Sequence, residues 1–454
     1  MNLMPIISTY NHFGGTHWET AALKNTLAHA GVIAPHTGKP LSEAMCLGVA
    51  SGIAAGYSFC PSIPSWEKKL GPPPAELPAS ASLEDRYMLG YRCGSGISLV
   101  SRQHSFSTGG DKYDVPLKRL GCKTTIKETG GAKAAHQHLV DALAAGKPTF
   151  IWCASMKLTW LGWAGTCGMY TTVCFGIDDD KGVALMSDRG PTPVTLTLDE
   201  LAFTRNRVCS FKNRSLTFDA PKKLDDKTLA KAALEGIRAC AGDFIKPKLG
   251  TFNLPGLLEG SKMVANAKNK KGWPVVYGGK KGALGGKEGA RLYLPLRDLF
   301  DSIETAGTGG GLMRPLYADF LDEAAKITGR DALAACATQY RALAKEWTAL
   351  AEACLPDKVK PFKQTKALLR KREKTLREKG GKAIKQIDKA GQDLYSLEMD
   401  MRKEMPLDDA QVRELLEAVG EHMADLHAKE TEAASRLARS ADRKITPLNS
   451  MHSP

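Results

Sequence analysis

The stretch His12–Asn25, HFGGTHWETAALKN, is laid out to present a reactive group. Gly14 and Gly15 form a tight turn, Thr16 is expected as an N-cap, and the helix that follows carries apolar Ala21, Ala22 and Leu23. A thiol at such a helix head is activated by the helix dipole and by backbone N–H groups that have no partner. The residue at the head is instead Trp18, which offers one N–H donor and nothing that attacks. It is expected to be either an aromatic platform or plug in a cleft, or a large residue filling a vacated space. His12 and His17 flank it. His17 is a candidate base, against the plainer reading of a capping or surface residue. Asp188, in LMSDRG, is a candidate orienting carboxylate or a turn former before Arg189 and Gly190.

A second candidate is GTGGGLMR, in which Gly309 and Gly310 precede a helix and Arg314 falls in its first turn. Backbone amides there suit a carboxylate or phosphate, and Arg314 suits a bidentate clamp. The stretch lacks the Gly-Lys-Ser/Thr ending of a Walker loop, and a tight turn between packed helices explains it equally. Cys153 and Cys174 sit in apolar runs and are expected to be buried and inert. Cys167, in AGTCGMY, is the one cysteine on a small-residue turn and a candidate relocated nucleophile. The 11 cysteines form no Cys-x-x-Cys pair, and His136 and His138, two apart on a helix, face different ways. No metal site and no cofactor are expected.

These residues must be held by a chain of 454 residues, long enough for two or three domains. No apolar run is long enough to span a membrane, and the first residues lack the pattern of a secretory signal, so a cytoplasmic protein is expected. The net charge is +14, which favours anionic partners. Much of the excess lies between Asp357 and Lys385, where nine lysines and three arginines face three acids. That run has few aromatics and matches no reading module, which argues against nucleic acid.

Periodicity and turn signals divide the chain into three regions. Residues 1–218 open with helices at His17 to Ala30 and Ser42 to Ala55, pass through a Pro/Ser-rich loop, and continue with the helix AKAAHQHLVDALAAG. The β-rich runs PTFIWCA, MYTTVCFGID, GVALMSDRG, VTLTL and SFKNRSLTF follow, with a helix capped by Thr197 after the fourth. Helices first and an antiparallel sheet afterwards predict an α+β domain. Residues 219–356 are mainly helical, with Gly-rich linkers such as GGKKGALGGKEG. Residues 357–454 are charged and helix-prone, broken at Gly380-Gly381 and near Pro406. They are expected to form a helical hairpin or coiled-coil arm with a disordered tail.

The opening helix, the segment SEAMCLGVASGIAAGY and the segment IETAGTGGGLMRPLYADFLDEAA, taken together and in order, resemble the butirosin biosynthesis protein H N-terminal domain family and the helical domain that follows it. The resemblance implies a papain-like fold over 1–218 and transfer of an acyl or aminoacyl group from a carrier-protein thioester to an amine. It places the family's cysteine at Trp18, its histidine at Tyr170 and its aspartate at Asp188, so two of the three reactive positions are altered. A phenol titrating near 10 is a poor base at neutral pH. His12 falls where papain-like folds carry an oxyanion donor.

Three readings follow from the sequence. One is a degenerate, non-catalytic binding or scaffolding component of natural-product or peptide-modification biosynthesis, meeting an acidic carrier protein or peptide. Another is an active transferase that works without the usual Cys-His pair. The third is an assembly protein acting through its basic C-terminal helices, with copies of itself or partner helices engaged through 357–445.

Overall fold

The computed structural model describes residues 5–11, 14–61, 82, 85, 94–102, 111–155, 158–161, 169–208, 211–279, 283–287 and 290–442. His12, Cys167, nearly all of the Pro/Ser-rich loop and the tail 443–454 lie outside the described residues. The fold is α+β. Strands β1 (Ile53–Phe59) and β2 (Ile97–Arg102) form an antiparallel pair. A larger sheet contains β3 (Lys123–Lys127), β4 (Thr149–Ala154), β5 (Met169–Asp178), β6 (Val183–Ser187), β7 (Val194–Thr197) and β8 (Ser215–Asp219). Its order is β3-β8-β4-β5-β6-β7, and every neighbouring pair is antiparallel.

All of β4 is buried and β5 is buried after its first residue. Helices therefore cover both faces at the sheet centre, and these strands read as continuous apolar runs rather than alternating ones. Helix α1 (Trp18–His29) lies against β5. Helix α2 (Glu43–Val49) packs on α1, and α3 (Ala132–Ala144) and α4 (Leu198–Asn206) pack on β4. The cap expected of Thr197 is present as a full capping box with Glu200.

Local corrections are instructive. The second helix does not reach Ala55. It ends at Val49, and the left-handed residues Ser51 (φ 72°) and Gly52 (φ 69°) turn the chain into β1. The N-cap of α1 is His17, not Thr16, and no side chain of that residue caps it. Glu43 of α2 performs the task across space: its carboxylate accepts from Thr16 N (2.9 and 3.0 Å), His17 N (2.8 Å) and Thr20 Oγ1 (2.8 Å).

The helical part includes α5 (Asp226–Ile245), α6 (Leu254–Val264), α7 (Arg314–Thr328), α8 (Asp331–Cys354), α9 (Lys360–Lys379), α10 (Ile384–Met401) and α11 (Asp409–Asp442). The breaks at Gly380-Gly381 and around Pro406 are where the sequence places them. Of the helical hairpin or coiled-coil arm expected here, a pairing of consecutive helices is present. Helices α9 and α10 pair with each other, and α11 packs on α5, α6 and α8, burying Val412, Leu416, Val419, Met423 and Leu426. Part of the Gly-rich linker is also pinned: Leu284 N (3.0 Å) and Gly285 N (2.6 Å) donate to Asp409 at the start of α11. The amphipathic faces of 357–442 find their partner inside the same chain. No helix among the described residues is long and apolar enough to cross a membrane.

Candidate functional site

Backbone pairing brings the candidates together. Gly15 N donates to Arg189 O (2.8 Å), which ties the approach to α1 to the turn after β6. Trp18 opens α1, Tyr170 is the second residue of β5, and Asp188 follows the last residue of β6. The Trp18 indole stacks on the Tyr170 ring with centroids 4.9 Å apart and planes at 20°. Tyr170 donates its O–H to Asp188 Oδ2 at 2.6 Å, and Trp160 Nε1 donates to the same oxygen at 2.9 Å. The other oxygen of Asp188 accepts from Arg189 N (2.6 Å) and Arg189 Nε (3.3 Å).

Burial, reinforced by the Asp188 charge, pushes the Tyr170 phenol well above its ordinary value, so it keeps its proton and acts as a donor. His17 is also in the cluster, 2% exposed, with its ring 4.0 Å from that of Trp18. Burial drives its pKa well below the usual imidazole range, the nearby Glu19 charge notwithstanding, so the ring is neutral at pH 7. Its Nδ1 has no hydrogen-bond partner.

These groups border a cavity of about 290 Å³. Its floor is His17, Trp18 and Glu19 of α1 with Met169 and Tyr170 of β5, and its walls come from β2, from a π-helical turn at Asp301–Thr305 and from α9. Arg372 of α9 donates to Asp301, at 3.2 and 3.3 Å. Glu373 of α9 accepts from Arg189 Nη1 with both oxygens, at 2.8 and 3.0 Å. The basic helix can approach this closely because glycine meets glycine: a Cβ on Gly190 would sit 2.3 Å from Gly380 Cα. Glu19, also in the lining, is held by Arg102 of β2 and by Lys112, all three being buried. Burial works to raise the Glu19 carboxyl, but Lys112 and Arg102 overcome it and hold it far below the usual carboxylate range.

The glycine-rich candidate resolves differently. Gly307 (φ 70°) abuts the indole, and a Cβ there would lie 2.9 Å from the Trp18 ring. Gly309 and Gly310 line an open groove of about 620 Å³ on the other side of the α1 head. The amide of Gly311 is already used by Glu304 (3.1 Å). Arg314 is not available as a ligand clamp. It is 0% exposed, donates to Glu430 of α11 (2.7 Å) and to Leu312 O (2.7 Å), and stacks over Trp347. The amides at the head of α1 are likewise taken in part by Glu43.

Cys153 and Cys174 are fully buried, with thiols raised by burial to about 12 and about 11. His136 contacts Asp179 at 3.3 Å. Among the described residues no cluster of His, Cys, Asp and Glu is suited to a metal ion.

Residues 101–189 match the family described as Butirosin biosynthesis protein H, N-terminal. The chain resembles that family. The match points to an acyl- or aminoacyltransferase-related family, and it includes Arg102, Lys112, Trp160, Tyr170, Asp188 and Arg189, whereas Trp18 precedes it. Residues 199–379 match a Domain of unknown function (DUF4872), a span that runs across the divisions at 218 and 356 and takes in Arg372 and Glu373. No curated protein matches the chain.

Sequence reasoning missed Glu19, Arg102, Lys112, Trp160, Arg189 and Glu373. A carboxylate in the first turn of a helix reads as an ordinary dipole partner. Glu373 carried a faint signal, as one of three acids in an otherwise cationic segment.

Proposed function

We propose that this chain is a non-catalytic binding or scaffolding component, built on a papain-like arrangement and related to acyl and aminoacyl transferases, that serves natural-product or peptide-modification chemistry. The observation that carries this reading is the line Trp18–Tyr170–Asp188. A helix head, the start of the neighbouring strand and the carboxylate after the next strand meet in the order that a thiol, an imidazole and its orienting carboxylate would. Acyl transfer through a covalent enzyme needs a nucleophile and a base. The indole cannot attack, the phenol holds its proton against Asp188, and burial makes His17 a weak acceptor of protons. The cavity beside them remains and supports a role in holding a ligand.

The test is to incubate the purified chain with an acyl- or aminoacyl-loaded carrier protein and an amine, and to follow intact mass and product. No protein-bound acyl group is expected. The variant Trp18→Cys/Tyr170→His, which supplies the missing pair, is expected to gain one. Acylation of the unaltered protein would overturn the reading.

A role in assembly is favoured by one observation, the exposed cations Lys371, Lys374 and Lys379 on α9. Truncation after residue 356 is a poor test of it, because α9 and α11 bury core residues. Charge reversal at those three lysines keeps the fold and is expected to abolish binding of an acidic partner in pull-down, while unchanged binding would exclude this face.

A further inference from the structure

The cavity beside Trp18 is lined by two sets of buried ion pairs. In one, Arg189 contacts Asp188 and Glu373, and Arg372 contacts Asp301. In the other, Arg102 and Lys112 share the carboxylate of Glu19, the one acid in ion-pair contact with either cation among the described residues. The Arg102 and Lys112 side chains are 5% and 6% exposed. Two buried cations on one carboxylate are costly to keep from water.

Hydrogen bonding tells the same story independently. Arg102 is 6% exposed and spends Nη1 on Glu19, yet its Nε has no partner. Nδ1 of His17 and Nε1 of Trp18, from the same cavity lining, are unpartnered as well. Arginine Nε and indole Nε1 only donate. Two cations on one carboxylate, with donors unfilled beside them, are complemented by a second singly charged acceptor. The same lining carries the apolar surfaces of Trp160, Leu161, Met169 and Leu376. A cavity of about 290 Å³ is small for a ligand site.

We propose that the Arg102–Lys112 part of this cavity binds the carboxylate of a small ligand whose apolar body lies along Trp160, Leu161 and Met169. The inference rests on the cavity being a binding site, as in the function proposed above, and extends it by naming the ligand's chemistry.

The experiment is isothermal titration of the full chain with hexanoate and benzoate, with hexanamide as the uncharged counterpart and inorganic phosphate as the alternative anion. Hexanoate or benzoate is expected to bind saturably, with hexanamide at least tenfold weaker. Arg102→Lys retains the charge but removes Nε, and Lys112→Met removes one of the two cations. Each is expected to weaken carboxylate binding at least tenfold while hexanamide binding is unaltered. Circular dichroism and thermal melting of both variants show that they are folded, and Lys345→Glu, on the exposed face of α8 and outside the cavity lining, should bind like the unaltered protein. Equal binding of hexanoate and hexanamide, tighter binding of phosphate, or no carboxylate binding to the folded unaltered chain would each overturn the proposal. These outcomes are separate from acylation by a thioester, which bears on the absence of catalysis and leaves the carboxylate site standing.

Discussion

Two buried arginines, Arg102 and Arg314, are bound to carboxylates in very different settings. Arg314 sits among α7, α8 and α11 with one acid, Glu430, which also accepts from Trp347 Nε1 at 2.7 Å. Both side chains are 0% exposed, and neither lines the cavity or the groove. Arg102 shares its acid with Lys112 and borders open space. The first arrangement is charge-balanced and sealed, and acts as a pin between helices. The second sets two cations on one carboxylate beside a cavity. Burial of an arginine therefore does not by itself mark a site. Stoichiometry of charge and adjacent volume do.

The comparison breaks most visibly at the sealed pair. Glu430→Ala leaves a buried guanidinium alone and is expected to destabilise the protein by about 3–5 kcal/mol, measured by urea denaturation. Replacing both partners, Arg314→Met with Glu430→Leu, should recover most of that loss. Glu19→Gln leaves two cations unopposed, but beside a cavity that solvent or an anion can enter. A smaller loss is expected, about 2–3 kcal/mol, and hexanoate should restore part of it, whereas it should do nothing for Glu430→Ala.

The pH dependence of stability should separate two groups at the cavity. The folded state holds His17 neutral, while the unfolded chain takes up a proton below about 6.5, so stability falls as the pH drops below that value. Glu19 has a depressed carboxyl in the folded state. Its contribution is complete above the unfolded value, about 4.3, and is lost as the pH falls further. Urea midpoints between pH 8 and pH 3 should therefore decline in two stages. His17→Gln should flatten the upper stage and Glu19→Gln the lower. A profile unchanged by both substitutions would contradict the assigned environments.

Tyr170→Phe removes one of the hydrogen bonds to Asp188 and keeps the stack on Trp18, for an expected loss of about 1–2 kcal/mol by the same denaturation assay. The smallest effect is expected of Glu43→Gln, about 1 kcal/mol, because an amide still accepts from the head of α1 but no longer carries the charge that suits a helix N-terminus.

Much of the secondary structure was legible. The runs at β4 and β5, the Thr197 cap and the helix breaks at Gly380-Gly381 and Pro406 rest on local chemistry, and all are present. The helix predicted to reach Ala55 failed because a left-handed Ser51 was invisible to periodicity. Strands β1, β2 and β3 were missed: β3 is mostly exposed, and β2 has no strong alternation to announce it. For the C-terminal region the need for a partner was legible, and its identity was not. Its amphipathic faces showed that a partner was required, and periodicity cannot say whether that partner is another molecule or another part of the same chain.

What the amino-acid order determined by itself is local: which segments become helix or strand, that position 18 carries an indole and not a thiol, and that charge concentrates after residue 356. Only the tertiary structure decided which charges meet. Glu43 reaches the head of α1 from 26 residues away, Glu19 joins Arg102 across 83, and Arg189 finds Glu373 across 184. Such pairings depend on how packed elements are juxtaposed, and the energy of an ion pair depends on how much water the packing leaves around it. Neither quantity is written in the neighbours of a residue along the chain.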